Sequence, residues 1–380
     1  MAEPPSRRVL LASVTPLASI FGSGFLIIVP ILERTLGGYA VLGIAAVLAV
    51  AWWTGNAIRH NIVFVEPRIA DGTLDRGTWR VEIAANWIIV VAYVVSVALY
   101  VRILAQFVVS YASDGSATAE RLLACGVIVL IVAVGVVRGF HGLDTLERVA
   151  LGAVLILVAV LIGTFAGLDI AKLGDEGITA APMPDDVGTL RAILVLGGIV
   201  ITVQGFETVR FLGEEFDPQT RIRASQVAQL VAAVVYLLFV LVATPLMNSA
   251  SGNPPDDELL MFVERVAGLL ALPLVLCAVL SQFSAATADT VAAEGDARAL
   301  PGVRVSARAV YVLIGIAACA IAATVPLFTL IAIASRAFAA YYACKALVAM
   351  RTSPTRRERA SRGALAVVML LIAVLALPAV

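Results

Sequence analysis

Glu207 stands midway along a membrane-length span, in the stretch ITVQGFETVRFLGEEFDP, directly after Gln204, Gly205 and Phe206. An ionisable side chain within a membrane-length span is costly to bury and marks a functional site by default, because a carboxylate there can carry a proton or face a charged solute. A structural role competes with that chemistry. Glu207, Arg210 and Glu214 are three and four apart, so on a regular helix they share one face and neutralise one another.

Gly205 has a counterpart near the N-terminus, where ASIFGSGFLIIVP places Gly22, Ser23 and Gly24 inside the first long apolar run. In hydrocarbon, an unpaired backbone N–H or C=O is so unfavourable that a helix breaks only where protein, solute or water completes those groups. Matched interruptions in two segments therefore point to a binding site between them. Glycine also serves close helix packing, the reading that suits Gly197 and Gly198; Gly22 and Gly24 are two apart, on different faces, and do not form one packing stripe.

Other polar groups recur at helical spacing. Tyr93, Ser96 and Tyr100 form a stripe that either faces a solute or packs in the core. The stretch LSQFSAATADT carries Ser281, Ser284, Thr287 and Asp289; Ser284 and Thr287 are hard oxygen donors suited to sodium, or small residues for helix contacts, and Asp289 is either an ion-coupling group or a solvated residue at the span's end. Arg102 and Gln106 lie deep enough either to steer an anion inward or to snorkel.

The elements that must position these groups are membrane spans. The 380-residue chain is 61% hydrophobic and only 14% charged, where soluble domains run near half and a quarter, which makes it a multi-pass membrane protein. Apolar runs at 9–32, 36–58, 83–112, 121–137, 146–168, 190–212, 226–247, 262–289, 308–326, 327–350 and 363–380 give about eleven transmembrane helices. With residues 1–8 cytoplasmic, the other side holds only Arg34, Arg121, Lys172, Arg191 and Arg265, while RTSPTRRERASR at 351–362 is a basic cytoplasmic loop. This orientation suits an inner or plasma membrane. Arg7 and Arg8 resemble the basic start of a signal peptide, but the run that follows is long enough to span, and we read it as the first helix.

Five helices at 9–168 and five at 190–350 give two halves that enter the membrane from opposite sides, the arithmetic of an inverted repeat, with 363–380 as an additional helix. Equal numbers of acidic and basic residues, 27 each, give no reason to expect a nucleic-acid partner. Cys125, Cys277, Cys319 and Cys344 lie in apolar runs without metal-ligand spacing, and two histidines, His60 and His141, do not support a zinc site or a histidine-based triad. No phosphate-binding G-x-x-x-x-G-K-[ST] loop and no cluster of catalytic residues is present, so neither direct ATP use nor an enzyme is expected, and no oligomeric state follows.

Three stretches resemble the amino acid-polyamine-organocation (APC) superfamily of secondary transporters: GSGF in the first span, RGFHGLDTLERV before the fifth, and QGFETVRFLGEEFDPQTRIRAS from the sixth into a basic loop. The resemblance covers seven helices and fades after them. It implies a five-plus-five inverted-repeat fold in which helices one and six are broken and hold a small-molecule substrate between them. By position, the N–H groups of Gly22, Ser23 and Gly24 would meet a substrate carboxylate, and carbonyls before Gly205 a substrate amine. Gln204 and Tyr93 would complete the site, with Phe206 as an aromatic gate. Glu207, Ser284, Thr287 and Asp289 would serve coupling or gating. The activity implied is permease transport of an amino acid or related amine, with a proton or sodium ion as the coupling ion and no other cofactor. A non-transporting membrane sensor or assembly partner that retains the fold is the alternative. The lysine that some proton-coupled members carry in helix five is missing from ERVALGAVLILVAVLIG.

Overall fold

The structure, a computed structural model, describes residues 5–22, 28–112, 116–175, 187–246 and 271–377. Among the described residues it is helical without strands. In chain order the helices are α1 (Pro5–Ala12), α2 (Val14–Gly22), α3 (Ile28–Leu36), α4 (Ala40–Phe64), α5 (Glu66–Ala70), α6 (Arg76–Ala112), α7 (Ala117–Asp175), α8 (Thr189–Gly198), α9 (Pro218–Ala243), α10 (Ala271–Arg298), α11 (Ala307–Thr324), α12 (Leu327–Thr352) and α13 (Arg356–Leu375). Two 3-10 segments, η1 (Ile199–Val203) and η2 (Phe206–Glu214), continue α8.

Eight helices among the described residues are long and apolar enough to cross a membrane. Three of the eleven expected spans are not among them. Residues 190–212 divide into α8 and two 3-10 segments, and residues 23–27 of the expected span at 9–32 lie outside the described residues, beside the short α1, α2 and α3. The last expected span, 363–380, belongs to α13, which begins with charged residues. In α7, Gly139 adopts φ 61°, ψ −155°, which divides one long helix into the two expected spans.

Helix boundaries follow side-chain chemistry. Asp217 caps α9 by accepting from the N–H groups of Gln219 and Thr220, and Pro218 at the first position has no N–H to leave unpaired. Thr355 caps α13 by accepting from Glu358 N–H at 3.2 Å, in a Thr-x-x-Glu sequence. Val325 and Pro326 close α11 and open α12, where a turn was expected.

Two spans form the centre: α6 and α10 pack along one another, and both bury most of their length. Around them stand α12 and α7, with α2 lying against α10. The packing surface of α10 carries small residues, Ala278, Ala285, Ala286 and Ala288, all fully buried. Close backbone approach supplies dispersion contacts where lipid offers no hydrophobic driving force between helices. Gly22 shows the consequence: a Cβ there would collide with Ala285 Cβ and the Ser281 carbonyl, so the end of α2 depends on having no side chain.

Candidate functional site

The sixth expected span is interrupted. Regular α8 gives way at Ile199 to a 3-10 turn, Gln204 and Gly205 belong to no helix, and a second 3-10 segment runs from Phe206. Gly205 holds φ 127°, a backbone state that side-chain-bearing residues rarely adopt. It also sits against the first span: a Cβ would strike Ile20 N and the Ser19 side chain. Residues 23–27 lie outside the described residues, and Ser23 and Gly24 with them. Gly22 is the last described residue of α2 and lies tight against α10, where a Cβ would meet Ala285 Cβ and the Ser281 carbonyl.

The interruption leaves backbone groups that must be satisfied. Tyr236 from α9 places its hydroxyl 3.0 Å from the Ile20 carbonyl and 2.7 Å from the Thr202 carbonyl, linking α2 to the interrupted sixth span. Gly205 O accepts from Thr208 N–H at 3.1 Å and from the Thr208 hydroxyl at 2.7 Å. Gly205 N–H donates to Glu207 Oε2 at 2.9 Å.

Glu207 thereby becomes part of the break. Its Oε2 also accepts from the Tyr342 hydroxyl at 2.8 Å, and its Oε1 from the Tyr93 hydroxyl at 3.4 Å. All three donors are neutral. The self-neutralising face with Arg210 and Glu214 does not form: Arg210 turns to Glu82 at 2.9 Å and Glu66 at 3.9 Å instead. Around Glu207 the rings are continuous: Phe206 stacks on Tyr342 with centroids 5.5 Å apart, and Phe338 lies edge-on to Tyr93 at 5.6 Å. Phe206, Glu207, Tyr93 and Tyr342 are all buried.

The predicted stripe on α6 contacts this region at each of its positions. Tyr93 meets Glu207, Ser96 meets Asp289, and the Tyr100 hydroxyl accepts from Gln204 Nε2 at 2.8 Å. Gln204 Oε1 is buried with no hydrogen-bond donor. An orphaned buried acceptor is unfavourable, and a donor from a bound solute would satisfy it.

Asp289 forms a second carboxylate centre. It is fully buried rather than solvated at the end of its span: Oδ1 accepts from the Ser19 hydroxyl at 2.8 Å, and Oδ2 from the Ser96 hydroxyl. The carboxylate thus joins α10 to α2 and α6 through neutral donors. Ser284 and Thr287 face elsewhere, as helical rotation of about 100° per residue requires. The Ser284 hydroxyl lies 3.4 Å from the Glu147 carbonyl, and Thr287 donates back to Phe283 O at 2.8 Å. The structure does not gather these two with Asp289.

Beyond Glu207 lies a layer of buried ions. Glu82 Oε1 accepts from Arg210 at 2.9 Å and from Lys345 at 2.5 Å, while Arg221 binds Glu66 at 2.7 Å and donates to the Arg210 carbonyl at 3.2 Å. Glu82 and Lys345 are 1% and 0% exposed, which makes each dependent on the other. Arg102 is tied to structure instead, donating to the Ala322 carbonyl at 3.0 Å and lying 3.7 Å from Glu120.

Sequence reasoning did not name Ser19, Tyr236, Phe338, Tyr342 or Glu82. Ser19, one helical turn before Gly22 to Gly24, had a usable signal as a hydroxyl in an apolar span. The aromatic residues read as ordinary core, and nothing in the sequence separates Tyr342 from the adjacent Tyr341.

Comparison with known proteins follows the same lines. Residues 5–378 match the family model of an APC superfamily transporter. An uncharacterized protein of Aquifex aeolicus (strain VF5) is 34% identical over 360 residues, which cover 93% of this chain and 86% of that one. Among solved structures, two mutant forms of the manganese transporter of Eremococcus coleocola superpose with TM-scores of 0.62 and 0.63, covering 97% of this chain and 86% of theirs. At 9% identity that likeness is one of fold. Interrupted sixth span, buried carboxylates and near full-length family match agree: the chain belongs to the APC superfamily of transporters.

Proposed function

We propose that this protein is a secondary active transporter that moves an amino acid or a related small zwitterion or amine, driven by a proton gradient. The observation that carries the reading is Glu207, buried at a helix interruption and bonded only to neutral donors. Such a carboxylate can accept or release a proton without breaking an ion pair, and its hydrogen bonds to Gly205 and Tyr342 couple its charge to the shape of the break. Asp289, also held by neutral hydroxyls, is the second proton-coupling group. A sodium ion near Ser284 and Thr287 has less support, because the nearby carboxylate is turned away.

The substrate's amine would lie at the carbonyl side of the break, beside Gln204 Oε1, with Phe206 and Tyr342 as its aromatic cover and Tyr93 at its edge. Its carboxylate would meet N–H groups at Gly22, Ser23 and Gly24. The described side chains of the site are buried, so transport would require the two halves, 9–168 and 190–350, to rock apart around the interrupted spans. The N-terminus would be cytoplasmic, in an inner or plasma membrane. Manganese, the cargo named for the structural neighbours, is the less favoured substrate. The described residues show no cluster of three or more His, Cys, Asp or Glu side chains, and the site is walled by aromatic rings, which suit an organic solute.

The test is uptake of radiolabelled amino acids and amines into proteoliposomes, with proton, sodium and potential gradients imposed one at a time. Proton-driven accumulation of at least one solute is expected. No uptake across a broad panel under every gradient would favour a non-transporting sensor.

A further inference from the structure

The proton-coupling site leaves one charged cavity unused. A cleft of about 720 Å3 lies between α4, α9 and the start of α13, lined by Arg59, His60, Arg357 and Arg362 together with Trp53 and Phe64. Against three arginines it holds one acid, Glu358, whose Oε2 is 3.9 Å from Arg362.

Arginines on loops ordinarily fix orientation in the membrane, but Arg59 belongs to the interior. It is 5% exposed and bonds to neutral groups alone: Asn56 Oδ1 at 2.6 Å, Gln229 Oε1 at 2.5 Å and Ser225 Oγ at 3.3 Å, with its guanidinium over the Trp52 ring. A buried cation without a carboxylate is unfavourable, and an anion in the adjoining cleft would offset it. Arg362 donates to Ser353 Oγ and lies 3.4 Å from His60 Nε2, so its guanidinium is fixed at the cleft wall, while Arg357 is exposed at the mouth. Guanidinium forks match the oxygens of a phosphate better than those of a single acceptor. The apolar flank matters as well: Val63 and Phe64 are 37% and 41% exposed beside the arginines, an apolar edge next to a cationic one that suits a headgroup with its acyl chains.

We infer that this cleft binds a phosphate oxyanion, either the headgroup of an anionic phospholipid or a free phosphate, among Arg59, Arg357 and Arg362. An occupant would bridge α4 to α13 and stabilise that end of the bundle without touching the transport site.

The experiment is thermal unfolding of the full chain in detergent after delipidation, titrated separately with phosphatidylglycerol, phosphatidylcholine and inorganic phosphate. Saturable stabilisation by phosphatidylglycerol that weakens with added salt is expected, with half-saturation about tenfold higher in the Arg357→Gln/Arg362→Gln double variant. Stabilisation by inorganic phosphate as well assigns the free oxyanion; stabilisation by phosphatidylglycerol alone assigns the lipid. Arg357→Gln, at an exposed position, keeps the test usable if the double variant does not fold, and about threefold weaker titration is expected from it. Equal effects of phosphatidylcholine and phosphatidylglycerol, no effect of either anion, or variants that titrate like the parent would overturn the assignment.

Discussion

The Tyr342 hydroxyl donates to Glu207 Oε2 at 2.8 Å, and the same oxygen accepts the N–H of Gly205 at 2.9 Å. One carboxylate oxygen thus ties α12 to the non-helical turn of the sixth span. Any change in the charge of Glu207 is felt at once by an aromatic wall and by the backbone that opens the span. Removing only the Tyr342 hydroxyl, in Tyr342→Phe, keeps the stack on Phe206 and deletes one hydrogen bond to a charged group. A stability loss of about 1.5–3 kcal/mol is expected, read as a lower melting temperature, together with reduced uptake. Unchanged stability and uptake would show that this bond does not hold the site.

Gly205→Ala tests the backbone. The residue sits at φ 127°, and an added Cβ would strike Ser19 and Ile20 N, so strain and collision act together. Destabilisation of at least about 1–3 kcal/mol is expected from the backbone conformation alone, measured by thermal unfolding in detergent. A neutral substitution would mean that the turn relaxes readily and is not set by Gly205.

The buried ion layer makes a sharper statement. Glu82→Gln leaves Lys345 and Arg210 without their nearest carboxylate, and a loss of about 3–5 kcal/mol is expected. Adding Lys345→Met should recover part of that loss, giving a coupling of at least about 1 kcal/mol in a double-mutant cycle. Additive losses would show that the two side chains do not act as a pair.

Outside the spans, Asp217 predicts a pH effect. The Thr220 hydroxyl, donating at 2.6 Å, and then the Thr220 N–H hold its carboxyl below the usual aspartate range, with Arg8 adding to the effect. A depressed native value means that the unfolded chain binds the proton more tightly, so the stabilisation is present above the unfolded value, about 3.9, and fades as pH falls through the native one. The gap in melting temperature between the parent and Asp217→Ala should therefore hold between pH 7 and 5 and narrow below about 4. A gap that widens on acidification would contradict the assignment.

Much of the fold was legible because membrane spans announce themselves in one dimension: apolar length, arginine asymmetry and turn residues such as Pro326 place most helix ends within a few residues. The break at Gly205 was legible from a glycine within an apolar span, but the winding around it was not. Composition reads 190–212 as one span, while the backbone turns 3-10 at Ile199 and breaks at Gln204, since Gly205 and Glu207 satisfy each other locally. The stripe Tyr93, Ser96 and Tyr100 was visible from spacing alone, because α6 is regular throughout. Its partners were not, since Ser19, Asp289 and Tyr342 reach it from distant parts of the chain, and long-range pairing leaves no local mark. Asp289 was underrated for the same reason: its hydroxyl donors lie 270 and 193 residues away.

The most direct measurement is proton movement during solute uptake in proteoliposomes loaded with a pH-sensitive dye, comparing the parent with Glu207→Gln, which keeps the shape and removes the titrating group. The account predicts solute-dependent acidification of the lumen in the parent and its loss in the variant, with uptake lowered at least about tenfold, the worth of one charge-assisted hydrogen bond. Uptake in Glu207→Gln with the parent's rate and pH dependence would contradict it.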